Sequence, residues 1–317
     1  MQPVVELIEA HKRYGSVNAV RGVDLAIEDG ELVAILGPNG AGKTTCISLM
    51  LGLRKPTVGQ ARLFGLAPTD RRARSHCGVM LQESGVPGTL KVRELVELFG
   101  SYYPHPMSAE RAIALAGLEQ QANRQAEKLS GGQRQRLYFA LAVAGDPQVI
   151  FLDEPTVGMD VEARRAFLEN IRGFAGEGKT IVLTTHYLEE ADQLAERVVV
   201  VDRGVVIADA SPSEIKSRVL GRRVSFVSDR TLAEADFQGL PYQNLEIDGN
   251  RVRLLSNAPE ALLKELFRRE HEIRDLQVVG ADLEEAFLDL TRRAEADAEG
   301  DTPSRPSKPA SWGGSRA

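Results

Sequence analysis

The sequence predicts an α/β protein: a mostly parallel sheet with a helical insertion, followed by a small C-terminal α+β unit. Three observations predict it. Short apolar runs alternate with helical stretches up to about residue 216. Three of those runs end abruptly in polar residues. Beyond residue 216 the texture changes to small strands and two amphipathic helices. On this reading residues 1–216 form the main domain, with a helical subdomain at about 85–145, and residues 217–293 form an accessory domain. Residues 294–317 are a tail of Pro, Ser, Gly, Ala and charged residues around one Trp312, the composition of a disordered segment.

The elements follow in order. Residues 31–36 read as a buried strand, residues 37–42 as a loop, and a helix opens at Lys43. Residues 149–152 form a strand that closes in Asp153-Glu154, and residues 180–185 one that closes in His186. Chemistry in open parallel sheets gathers at the carboxyl ends of strands, where all three polar endings fall. In the accessory unit, residues 224–227 and 251–255 read as strands, with Asp248-Gly249-Asn250 turning the chain before the second. Residues 258–270 read as a helix. Asp282 and Glu285 have capping-box spacing and open a last helix, with Leu283, Ala286, Phe287 and Leu290 on one face. This unit carries no catalytic constellation.

The 317 residues are 43% hydrophobic and 26% charged, the balance of a globular protein with a substantial core. A net charge of −6 lacks the basic field that nonspecific nucleic-acid binding requires. Cys46 and Cys77 lie far apart without metal-ligand spacing, so a reducing compartment is expected and a disulfide framework is not. No apolar run approaches the ~18–20 residues of a membrane span. The first six residues lack the basic-then-apolar pattern of a signal peptide.

Gly37-Pro38-Asn39-Gly40-Ala41-Gly42-Lys43-Thr44-Thr45 matches the phosphate-loop pattern, with a strand before it and a helix after it. Its glycines let backbone amides turn around a β-phosphate, and the helix N-terminus adds a favourable dipole. Lys43 supplies charge to the β/γ-phosphates, and the Thr44 hydroxyl is placed to ligate Mg²⁺. Asp153 would hold the same Mg²⁺, while Glu154 can accept a proton from attacking water. Two acids ending a strand are weak evidence alone; beside the phosphate loop they complete a nucleotide site. Leu129-Ser130-Gly131-Gly132-Gln133 has capping-box spacing and offers two unobstructed glycine amides to an anion.

That last segment is identical to the signature of ATP-binding-cassette (ABC) ATPases, and residues about 4–216 resemble that family with its principal motifs in order. The resemblance implies ATP and Mg²⁺ as cofactors. Tyr14 matches the aromatic that stacks on adenine, and Gln82 the glutamine that contacts Mg²⁺ and water and senses the membrane partner. Gly158-Met159-Asp160 resembles the loop that couples two sites, and His186 the switch histidine that contacts the γ-phosphate. Glu154, His186 and Gln82 are thus the expected catalytic residues, and Thr44, Gln82 and Asp153 the expected metal ligands. Residues 37–45, Ser130, Gly131, Gly132, Gln133, Tyr14 and Asp160 complete the nucleotide site.

The family also implies a second copy sandwiching ATP, and a separate transmembrane permease resting on the helical insertion. The implied location is peripheral, on the cytoplasmic face of the cell membrane, with no nucleic-acid partner. Leu283-Glu284-Glu285-Ala286-Phe287-Leu288-Asp289-Leu290-Thr291 is similar to the ending of drug, lipid and polysaccharide exporter ATPases of the daunorubicin-resistance type. A non-transport ABC ATPase acting on ribosomes or DNA would carry two cassettes or a long coiled-coil insertion, whereas this chain has one cassette and no heptad array. An importer subunit is disfavoured by the C-terminal resemblance.

Overall fold

A computed structural model describes residues 3–81, 85–217, 221–269, 273–280 and 282–300. Its first half runs β1 (Val5–Tyr14), β2 (Val17–Ile27), β3 (Leu32–Leu36), α1 (Lys43–Met50), β4 (Val58–Leu63), α2 (Arg71–Arg74) and β5 (Cys77–Met80). Then come α3 (Val92–Gly100), α4 (Ala109–Leu115), α5 (Gly131–Val143), β6 (Val149–Asp153), α6 (Val161–Ala175) and β7 (Thr180–Thr185). Next are α7 (Leu188–Leu194), β8 (Arg197–Asp202), β9 (Val205–Ala210) and α8 (Pro212–Ser217). The C-terminal part holds β10 (Arg222–Ser228), β11 (Asn244–Asp248), β12 (Arg251–Ser256), α9 (Pro259–Arg268), β13 (Ile273–Gly280) and α10 (Leu283–Gly300).

The central sheet has the order β5-β6-β7-β3-β8-β9, parallel except at the β8–β9 edge. Every residue of β3, β6 and β7 is buried. Parallel strands covered on both faces must be apolar on both, which explains their unbroken runs. Their side chains alternate between two cores. Val33, Ile35, Val149, Phe151 and Val182 face α1 and a three-stranded antiparallel sheet, β2-β1-β4. Leu32, Ala34, Leu36, Ile150, Leu152 and Leu183 face the helical layer that contains α3 to α7. The expected strands and helices of residues 31–185 are present. The antiparallel sheet is an addition to the expected architecture. Its bulged β1–β2 pairing breaks the strict alternation by which a half-buried strand is recognised.

Residues 222–280 form a second sheet, β11-β12-β10-β13, wholly antiparallel. It has its own core of Val224, Phe226, Phe237, Val252, Leu254, Leu262 and Leu266, the last two supplied by α9. Gly249, at φ +57°, turns β11 into β12 as the sequence predicts. The last helix goes elsewhere. Asp282 and Glu285 do form the capping box, each backbone N–H donating to the other's carboxylate at 3.0 Å. Leu283, Ala286, Phe287 and Leu290 then pack into the helical-layer core of the main domain, beside α7, α8 and β9. The capping box also binds Arg223 of β10, so α10 bridges the two units. Residues 294–300, expected to belong to an irregular tail, instead continue α10, which runs to Gly300. The alternating Ala and acidic residues there are compatible with helix. Residues 301–317, including Trp312, lie outside the described residues.

Cys46, on α1, is 1% exposed and Cys77 4%. Burial pushes both thiols up to about 12. A thiol reagent at neutral pH is expected to leave the folded protein unlabelled and to label two thiols after denaturation. Labelling of either one in the native state would contradict this packing.

Candidate active site

Strand register assembles the site. Leu36 of β3 pairs with Thr185 of β7, and Asp153 of β6 pairs with Thr184. The phosphate loop, the acid pair and His186 therefore leave the sheet from one row, at its carboxyl edge.

The phosphate loop is built around backbone that approaches too closely for side chains. A Cβ on Gly37 would lie 2.2 Å from the Val201 carbonyl oxygen. Gly42 sits at φ +111°, and a Cβ there would lie 2.5 Å from the Ala19 carbonyl oxygen. That contact brings the β1–β2 hairpin against the loop. The Gly204 N–H donates to Ala41 O, and Arg21 N–H to Gly204 O, both at 2.8 Å. Lys43 is 5% exposed, and its ammonium donates to Gly37 O at 2.7 Å and Pro38 O at 3.2 Å. Burial lowers its pKa from the ordinary lysine value, opposed by the nearby carboxylates of Glu154 and Asp153. Pro38, Asn39, Gly40 and Thr44 are exposed, while Gly42 and Thr45 are half-buried and Ala41 is buried.

Asp153 is 1% exposed. Its Oδ1 accepts hydrogen bonds from the hydroxyls of Thr184 and of Thr44, the latter at 3.2 Å. Its Oδ2 is buried with no hydrogen-bond partner among the described residues. A buried carboxylate oxygen without a donor, beside a threonine hydroxyl, is the hard-oxygen set that Mg²⁺ prefers. The residues therefore fit the cation. Glu154 adopts φ +49°, in the left-handed region, at a cost of about 1–3 kcal/mol for a non-glycine residue. Its amide donates to the Thr184 hydroxyl at 3.0 Å, which holds it there. The Glu154 carboxylate lies 3.4 Å from His186 Nδ1 and 3.8 Å from Lys43 Nζ. A carboxylate, an ammonium and an imidazole thus share one cluster.

The signature segment forms a second anion-competent helix N-terminus. Ser130 caps α5, its Oγ accepting the Gln133 N–H at 3.3 Å while Gln133 Oε1 accepts the Ser130 N–H at 3.1 Å. Ser130 and Gly131 are exposed, and Gly132 and Gln133 are half-buried. The nearest neighbour of each glycine belongs to the turn before α6. A Cβ on Gly131 would meet Gly158 O, and one on Gly132 would meet Met159 Cγ, each at 3.7 Å. Asp160 caps α6 by accepting the Ala163 N–H at 2.8 Å. Among the described residues no hydrogen bond or ion pair joins residues 37–45 to residues 130–133. Tyr14 is 41% exposed at the hairpin tip, with Lys12 Nζ 5.1 Å from its ring centroid. Gln82 lies outside the described residues.

Sequence reading did not single out Thr184, which positions both acids, nor the buried group of Thr156, Thr185 and Glu190 with the half-buried Arg164 beside it. The available signal was two threonines at the carboxyl end of the strand. Nothing local says that Glu190, in a run of helical acids, turns inward while its neighbour Glu189 does not.

Residues 20–157 match the family model described as ABC transporter. The chain is similar to the Nod factor export ATP-binding protein I of Ralstonia nicotianae, at 34% identity over 92% of this chain and 94% of that one. It is similar to the daunorubicin resistance ATP-binding protein DrrA3 of Streptomyces coeruleorubidus, at 36% identity over 89% of this chain and 94% of that one. Among solved structures it is similar to a bacterial ABC transporter cassette solved as a dimer, at 30% identity and a TM-score of 0.59, covering 65% of this chain and 98% of that one. A post-hydrolysis dimer of an ATP-binding cassette bound to ADP and Pi matches at 29% identity and a TM-score of 0.60, covering 65% of this chain and 98% of that one. With its cassette fold, phosphate loop and acid pair, this chain belongs to the ABC transporter family and is one of its ATP-binding, ATP-hydrolysing subunits.

Proposed function

We propose that the chain powers an exporter by closing with a second copy around MgATP and reopening on hydrolysis. The convergence of Lys43, Asp153, Glu154 and His186 at one sheet edge carries this reading. The loop amides and Lys43 bind the phosphates, and Tyr14 stacks on adenine. Thr44 and Asp153, with Gln82, would hold Mg²⁺, which supplies charge neutralisation at the β- and γ-phosphates. Glu154 accepts the proton of the attacking water, and His186 contacts the γ-phosphate. Ser130, Gly131, Gly132 and Gln133 present their helix N-terminus to the nucleotide held by the other copy, and Asp160 lies between the two sites.

A separate permease rests on the helical insertion, within about residues 85–127, on the cytoplasmic face of the membrane. Among the described residues no helix is long and apolar enough to cross one. Residues 217–293 serve as an accessory domain. Export rather than import is supported by similarity along both units to relatives named for export and resistance. ATP hydrolysis by the purified chain should stop on chelation with EDTA and return with added Mg²⁺; turnover that persists in EDTA would count against the Thr44–Asp153 assignment. A neighbouring reading frame encoding a substrate-binding protein would overturn the direction of transport.

A further inference from the structure

We propose that Glu190 is a positioning residue that holds the Glu154 loop and His186 in one geometry; this rests on the functional reading above. Glu190 lies in the first turn of α7 and is 2% exposed. Its Oε1 accepts the Thr156 hydroxyl at 2.6 Å, and its Oε2 accepts the Thr185 hydroxyl at 2.7 Å. Thr156 stands two residues after Glu154, and Thr185 stands immediately before His186. One carboxylate thus clamps together the two loops whose side chains meet at 3.4 Å.

The clamp reaches the imidazole from a second side. Arg164 Nε lies 3.6 Å from Glu190 Oε1, too long for a hydrogen bond but close enough for an ion pair. The Arg164 guanidinium sits 4.2 Å from the Tyr187 ring centroid, and the Tyr187 ring lies 4.1 Å from that of His186. The Tyr187 N–H donates to the Thr185 hydroxyl at 2.9 Å. His186 is therefore held through Thr185 on its backbone and through Tyr187 on its ring, and both lead to Glu190. Arg164 belongs to α6, whose cap is Asp160, so the network also ties in the 158–160 turn.

Burying a carboxylate is costly unless its oxygens are satisfied. Here two hydroxyls from different loops and one cation satisfy it. A carboxamide has a single acceptor oxygen, so one threonine would have to turn its hydroxyl and accept from the NH₂, and the ion pair with Arg164 would be lost. The acid therefore holds this arrangement in a way that an uncharged group of the same shape does not.

The test uses the full chain and compares kcat, KM for MgATP and melting temperature among Glu190→Gln, Thr185→Val and Thr185→Ser. Glu190→Gln and Thr185→Val are expected to lower kcat roughly ten- to hundredfold, because small misplacements of reacting groups are expensive. KM should stay within about twofold, because the phosphate loop is untouched. Thr185→Ser, which keeps the hydroxyl, should retain kcat near that of the unmodified chain. A Glu190→Gln variant with unmodified kcat overturns the proposal, as does a rise in KM at constant kcat. So does a Thr185→Ser variant as impaired as Thr185→Val, which would assign the loss to packing. Should Glu190→Gln fail to fold, the two Thr185 variants decide. Absence of MgATP turnover in the unmodified chain would instead refute the functional reading itself.

Discussion

Glu154→Gln should reduce steady-state ATP turnover by about 10²–10⁴-fold, the usual contribution of a positioned general base. Nucleotide binding should survive. The replacement is isosteric, and the backbone at φ +49° is held by Thr184 through the Glu154 amide, which the substitution leaves in place. What disappears is the carboxylate 3.4 Å from His186 and 3.8 Å from Lys43. With binding intact and proton acceptance lost, the variant should accumulate as an ATP-bound closed dimer, visible by size-exclusion chromatography. Lys43→Ala removes the cation proposed to contact the phosphates and should instead weaken nucleotide binding itself. Phosphate release by Glu154→Gln near the unmodified rate would remove Glu154 from the base role.

Mixing two inactive variants, Lys43→Ala and Ser130→Arg, should restore ATP-dependent closure. In the proposed dimer each site takes its phosphate loop from one copy and its signature segment from the other. Each homodimer then holds two damaged sites. A mixed dimer gathers both defects into one site and leaves the other with an intact loop and an intact signature. Two features of the single chain motivate this. Ser130 and Gly131 are exposed, and the signature glycines neighbour the 158–160 turn of their own chain. No hydrogen bond or ion pair among the described residues joins them to their own phosphate loop. Crosslinking across the dimer reads closure directly. Verified mixed dimers without recovered closure would refute the shared site. Hydrolysis is the weaker readout, because two coupled sites can require each other.

The sequence by itself determined what is local or contiguous. The phosphate loop is legible because the constraint is short-range: Gly42 must sit at φ +111°, and Gly37 must approach backbone at a distance no side chain tolerates. The strands β3, β6 and β7 are legible because a strand buried on both faces must be apolar throughout, and their polar ends mark where the sheet meets solvent. The Ser130 and Asp282 caps are legible because a capping box involves residues only three apart.

Tertiary structure decided what depends on partners distant in the chain. The sheet order β6-β7-β3 brings Asp153 and Thr184, 31 residues apart, into one hydrogen bond. The same order lets Thr156 and Glu190, separated by 34 residues, meet in the core. A threonine in a strand and a glutamate on a helix have ordinary uses in any sequence. Only the register of the sheet and the burial of α7 turn these into groups that hold Asp153, Glu154 and His186. The destination of α10 was undecided for the same reason. Its apolar face was readable, but either core could bury it, and the match with α7, α8 and β9 draws it back to the main domain.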